Sequence, residues 1–329
     1  MYLRKSPAHK PRLFAIDGMT GMSRFVLAIL VASRAVAIAG PDGDSQIRAR
    51  AGKSEIVITT TARMAGAIQS LTWDGAEFIN RADHGRELQS ACSFDLSPTA
   101  NSETFNPTEA GSRKDGGGPA STSRLLTMAA AGSHLRTGTQ MAFWLAPGER
   151  SDGQLARNTN TLSNYILTKD VRIGFGRWPQ ALDYRVTFSL PKNARHLSAQ
   201  FEVLTGYMPP EFQKFWQFDS KTGKLEPLDD GPGEIKNPVV LATADGRHAM
   251  GIFAPPQDQM TTGGLRYGRW KFKVEQVVKW NCVYRVHDST PIRAGDYSYR
   301  LLVPIGTLQE VESMLRAWSR EAATLQTPD

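Results

Sequence analysis

From Ser54 onward, short runs rich in Val, Ile, Thr, Phe and Tyr are separated by clusters of Gly, Pro, Asn and Asp. Period-two alternation inside such runs is what a strand with one buried face needs. Strands are therefore predicted at 55–61, 124–130, 140–145, 163–173, 182–190, 196–204, 268–274, 277–287 and 297–303. Two hairpins accompany them. In one, 67–73 meets 76–79 across Asp74-Gly75; in the other, 239–244 meets 247–253 across Asp245-Gly246. Asp-Gly suits a type I′ turn, which requires positive φ at both central residues. Helical periodicity is confined to 308–323. There Thr307 and Glu310 have the spacing of a capping box, and Leu308, Val311, Leu315 and Trp318 share a face. Irregular segments are expected at 97–123, 146–161 and 207–237. The pattern reads as all-β: a large antiparallel sandwich of two stacked sheets, closed by a short C-terminal helix.

The first residues change the domain count. Arg4, Lys5, Lys10, Arg12 and Arg24 precede an apolar stretch at 25–31 and then Ala37-Ile38-Ala39, the layout of a secretory signal peptide. The apolar stretch is far shorter than the ~20 residues of a spanning helix, so no membrane insertion is expected after cleavage. Residues 1–39 are thus expected to be the signal and 40–329 one domain, periplasmic or secreted. That segment holds six cations against Asp17, so its loss lowers the net charge from +7 to +2. Most of the basic excess leaves with it, and nucleic acid is not an implied partner. Cys92 and Cys282 could pair in an oxidising compartment or remain two buried thiols.

Chemistry concentrates after the first Asp-Gly turn, where Asn80, Asp83, His84, Arg86, Glu87 and Gln89 fall within ten residues. If a strand begins at Arg86, Glu87 and Gln89 point the same way and could face a cleft. A carboxylate, an imidazole and an amide together suit the gripping and protonation of hydroxyl groups. Asn106 and Glu109 follow in a glycine-rich loop, with Pro107 stiffening the approach to Glu109. Among the aromatics Trp144, Trp178, Tyr207, Phe212, Phe215, Trp216, Trp270, Trp280 and Tyr284, exposed rings could stack on sugars, and Trp216 and Trp280 are the candidates taken forward. On the late strands Lys271 shares a face with Lys273, Lys279 with Asn281, and Arg285 with His287. These could form a basic strip for uronate or sulfate groups, or an ordinary solvated sheet face. No nucleophile elbow, HExxH, CxxC or dinucleotide fingerprint is present, so no metal or organic cofactor is expected.

The segment 66–79, Gly-Ala-Ile-Gln-Ser-Leu-Thr-Trp-Asp-Gly-Ala-Glu-Phe-Ile, together with 294–300, Ala-Gly-Asp-Tyr-Ser-Tyr-Arg, leading into Pro304-Ile-Gly-Thr307 and a closing helix, resembles the galactose mutarotase-like β-supersandwich superfamily. The likeness spans most of 50–322. It implies a concave sheet face that holds an oligosaccharide or polysaccharide. Members include aldose 1-epimerases, supersandwich domains of polysaccharide lyases and glycoside hydrolases, and non-catalytic relatives. In the epimerases two histidines and a late glutamate transfer protons. His84 stands near the place of one histidine, while Glu275 lacks the proline or asparagine expected after the late glutamate. The expectation is therefore a glycosidase or lyase with Glu87, Glu109 and His84 as acid–base groups. Asn80, Asp83, Arg86, Gln89, Asn106, Trp216, Trp280 and His287 would contact substrate; a pure sugar binder or an epimerase-like isomerase is the alternative.

Overall fold

The computed structural model describes residues 41–257 and 262–322, with the side chains of 288–290 outside that description. The expected signal segment, 1–39, lies outside the described residues. Every strand pair is antiparallel, and two long strands form the spine. Trp178–Met208 pairs with Val277–Gly306 over most of its length. Leu162–Phe175 lies beside the first half of Trp178–Met208 and Leu88–Phe94 beside the second.

The spine strands fold over. Phe188 and Phe201, thirteen positions apart on one strand, have ring centroids 5.1 Å from each other. A straight strand would set them roughly 40 Å apart at its usual rise. On the paired spine strand Tyr284 and Tyr299, fifteen positions apart, meet in the same way, at 4.6 Å. Each strand thus serves two layers, with the main apolar core between them. The ladder slips between Leu190 and Arg195, where the strand passes from one layer to the other. The sequence reads that passage, Pro-Lys-Asn-Ala-Arg, as a break between two strands.

Asp74-Gly75 is a type I′ turn, with φ of 49° and 77°. The second Asp-Gly differs from expectation. Of that pair only Gly246 has positive φ, 68°, and the paired strands are the shorter Val239–Ala242 and Ala249–Gly251. Asp245 uses its carboxylate instead, accepting from the Thr243 hydroxyl at 2.7 Å and the Arg247 amide at 3.1 Å, which makes a wider side-chain-stapled turn.

The segment 207–237 is not irregular throughout. It contains the strands Lys214–Asp219, Lys224–Leu228 and Gly233–Ile235, the first of which buries Phe215 and Phe218. Another strand, Ser45–Ala51, precedes the first predicted one.

The helix Leu308–Arg320 carries the expected capping box between Thr307 and Glu310. It seats Val311, Met314, Leu315 and Trp318 in a second core cluster with Phe218 and Leu302. No helix among the described residues is long and apolar enough to cross a membrane.

Cys92 and Cys282 are free buried thiols. Cys92 lies opposite Phe201, and Cys282 flanks the same spine strand on its other side, opposite Leu204. Two strand spacings of about 4.8 Å put their backbones beyond the ~7 Å limit for a disulfide.

Candidate functional site

Four adjacent strands turn polar and aromatic side chains to one face while their other face builds the core. On Leu88–Phe94 these are Gln89 and Ser93, with Leu88, Cys92 and Phe94 inward. Gln200, Glu202, Thr205 and Tyr207 come from Trp178–Met208. Val277–Gly306 supplies Lys279, Asn281 and Arg285, and Gly264–Phe272 supplies Trp270 and Phe272. The register sets them in rows: Ser93, Gln200 and Arg285; then Gln89, Thr205, Asn281 and Gly268; then Tyr207, Lys279 and Trp270. Glu103, Asn106 and Trp144 complete a cleft of about 420 Å³.

Strict alternation would pair Glu202 with residue 204, not 205. The ladder slips by one after Glu202 against both neighbouring strands, so Val203 and Leu204 are both buried while Glu202 and Thr205 share the cleft face. This is a β-bulge, the device by which a strand re-aims side chains.

Glu202 accepts hydrogen bonds from Lys279 Nζ at 3.2 Å and from Asn281 Nδ2. Burial pushes its carboxyl upward, but the Lys279 ammonium and the Asn281 amide outweigh that and hold it below the usual carboxylate range. The ammonium of Lys279 lies 5.0 Å from the Tyr207 ring centroid and 4.8 Å from that of Trp270. Burial pulls this lysine down, whereas Glu202 and Tyr207 raise it above its ordinary value. Both members of the pair are therefore charged at neutral pH. Arg285 grips Glu234 with two bonds, 2.7 and 2.8 Å, and reaches Gln200 at 2.9 Å.

Gly268 is required by close approach. A Cβ there would lie 2.1 Å from the Trp270 ring and 2.4 Å from Asn281 Oδ1. The floor can thus offer an ionised acceptor, a fixed cation, amides and aromatic faces. With its carboxylate kept ionised, Glu202 can accept a proton or stabilise a cation, but it is not poised to donate.

Of the expected site residues, Gln89 and Asn106 line this cleft. Gln89 also ties two loops together, donating to the His84 carbonyl and accepting from the Ala110 amide, each at 3.0 Å. Asn106 donates to the Cys92 carbonyl at 2.8 Å.

His84, Glu87 and Glu109 are buried and are not part of the cleft lining. The ring nitrogens of His84 stand 2.9 and 3.2 Å from the carbonyl oxygens of Ala110 and Gly118. Glu109 accepts from the Ser90 amide at 3.1 Å and forms a fully buried ion pair with Lys169. The ladder begins at Leu88, so Glu87 precedes the alternation that was to aim it beside Gln89. Its carboxylate has no partner among the described residues, and burial pushes it well above the usual carboxylate range.

Asn80, Asp83 and Arg86 brace the loop before the strand. Asn80 accepts from the Ala82 amide at 3.2 Å, Asp83 pairs with Arg86 at 3.1 Å, and Arg86 reaches the Glu275 carbonyl at 3.4 Å. Trp216 packs against the second core cluster and borders a separate depression beside Leu308. Trp280 is core, its indole 3.2 Å from Met208 sulfur, and His287 is exposed outside the cleft.

The anticipated basic strip divides. Lys279 and Arg285 enter the cleft, while Lys271 and Lys273 alternate with Trp270 and Phe272 and leave it. The lining also includes Glu103, Gln200, Glu202 and Glu234, which are not among the expected site residues. Gln200 and Glu202 did carry a signal, since they bracket Phe201 inside a predicted strand. No group of His, Cys, Asp and Glu among the described residues is arranged to hold a metal.

No family model matches the chain, and comparison with curated proteins finds no match. Solved structures do match. A proposed aldose 1-epimerase from Klebsiella pneumoniae is 12% identical, with TM-score 0.42, over 87% of this chain and 92% of that one. A heparan sulfate lyase from Pedobacter heparinus is 10% identical, with TM-score 0.40, over 82% of this chain and 36% of the lyase. An α-galactosidase from Geobacillus stearothermophilus is 9% identical, with TM-score 0.43, over 80% of this chain and 41% of the enzyme.

Proposed function

We propose that this is an exported carbohydrate-active protein, periplasmic or secreted, that holds an oligosaccharide or polysaccharide in the cleft. One observation carries the reading: an ionised Glu202 and a charged Lys279, joined by Asn281, lie on a floor walled by the Tyr207 and Trp270 rings. Sugar hydroxyls both donate and accept, and so match a floor that offers carboxylate, ammonium and amide. Their C–H faces match the rings. The test is calorimetric titration of the protein with neutral and acidic oligosaccharides, comparing Trp270→Ala with the unaltered chain. Loss of roughly tenfold or more in affinity is expected for the variant. Binding unchanged by Trp270→Ala would remove the cleft as the site.

A catalytic reading is favoured by one further feature. Glu103 shares the cleft with the ionised Glu202, and its carboxylate has no partner among the described residues. A glycosidase needs two carboxyl groups beside the bond it cleaves. In that case Glu202→Gln and Glu103→Gln would each abolish release of reducing ends while binding persists. If neither variant affects turnover, these two residues are not the acid–base pair.

A further inference from the structure

We infer that the cleft selects a neutral, hydroxyl-rich saccharide over an anionic one; this rests on the saccharide reading above and names its ligand class. Both cations of the lining are already committed within it. Lys279 is paired with Glu202, and Arg285 is gripped by Glu234 and by Gln200. Both partner acids are lining residues too, so a uronate or sulfate group has two ways to approach. It can displace the resident carboxylate, which is then left partly buried without its cation, or it can lie beside that carboxylate and incur like-charge repulsion. Glu103 adds a third acid, so the lining holds three acids against two bases.

Other cations nearby do not alter this balance. Lys271 and Arg269 are not lining residues and face Asp230 and Asp229 at 3.9 and 2.6 Å. Arg266 shares the cleft side of its strand by register but lies beyond the lining, and its guanidinium bonds the Leu265 carbonyl at 2.8 Å. A neutral sugar meets no such conflict. Its hydroxyls can accept from Lys279 and Asn281 and donate to Glu202 without separating any pair.

The experiment titrates the full chain with neutral xylo-, cello- and galacto-oligosaccharides, with oligogalacturonate and with chondroitin sulfate, at low and moderate salt. A neutral series is expected to bind at least roughly tenfold more tightly than either anionic one, with little dependence on salt. Glu234→Gln, which releases Arg285, is expected to raise oligogalacturonate affinity roughly tenfold. Thermal melting of that variant checks its fold. Tighter binding of an anionic glycan by the unaltered chain overturns the inference while the saccharide reading stands. So does a folded Glu234→Gln protein with no gain for oligogalacturonate. If no glycan of either charge binds, the saccharide reading fails and takes this inference with it.

Discussion

Two lysine–glutamate pairs occupy opposite environments in this protein. Lys169 and Glu109 meet in the interior with no exposed surface, next to the Ser90 amide and the Tyr184–Ser90 hydrogen bond. Lys279 and Glu202 meet on the cleft floor, where their side chains stay 13% and 20% exposed and an amide and two rings share the contact. A sealed pair can serve only the fold, because nothing reaches it and each charge relies on the other. An open pair with further partners can trade a contact for a ligand's hydroxyl. Residue type is the same in both, so burial decides the role.

The largest expected effect separates the two. Lys169→Met leaves Glu109 buried without its cation and should cost about 3–5 kcal/mol, whereas replacing both residues with apolar ones of similar volume should recover most of it. Urea unfolding of the single and double variants measures this. A single variant no less stable than the parent would mean that the pair is not sealed.

Next comes Glu87, a buried carboxylate with no hydrogen-bond partner among the described residues. Its folded value lies above its unfolded one, so folding keeps a proton that the unfolded chain releases once the pH passes the ordinary carboxylate value near 4.3. Stability is therefore expected to fall as pH rises from there toward the folded value. Glu87→Met should gain about 1–3 kcal/mol at neutral pH and much less at pH 4. A gain that does not vary with pH would show that ionisation is not the cost.

The smallest effect on stability is expected for Lys279→Met, at about 1–2 kcal/mol because Asn281 still bonds Glu202 and the pair keeps some exposure, with saccharide affinity falling roughly tenfold. The pH dependence has the opposite sign from that of Glu87. Glu202 is held low, so its contribution is present above the ordinary carboxylate value and lost as pH falls through the folded one. Unfolding midpoints across acid pH should flatten in the variant. A loss as large as that of Lys169→Met would erase the contrast between the two pairs.

What could be read from the sequence follows the range of the forces involved. The Asp74-Gly75 turn, the Thr307–Glu310 cap and most strands depend on neighbours within a few positions, and they were legible. Asp245 looked the same as Asp74 but found a closer partner in Thr243, and its turn widened. The aromatic stretch at 212–218 is flanked by polar residues and proline, which hid a strand whose apolar side chains are buried by other strands. At the site, Gln89 could be picked out because it sits in an unusually polar stretch, and Asn106 because it opens a glycine-rich loop. Glu202 and Tyr207 could not be placed on one face, since only the neighbouring strands reveal the slip between them.

That slip works as a change of parity. Before it, even-numbered positions of the strand, Gln200 and Glu202, look into the cleft; after it, odd-numbered ones do, Thr205 and Tyr207, with Met208 inside. Drawing Val203 into a regular ladder would turn Leu204 and Met208 to the cleft in their place, whereas deleting it would remove the slip and leave Thr205 and Tyr207 there by plain alternation. A single apolar residue that never meets the ligand thus determines which side chains are available to meet it.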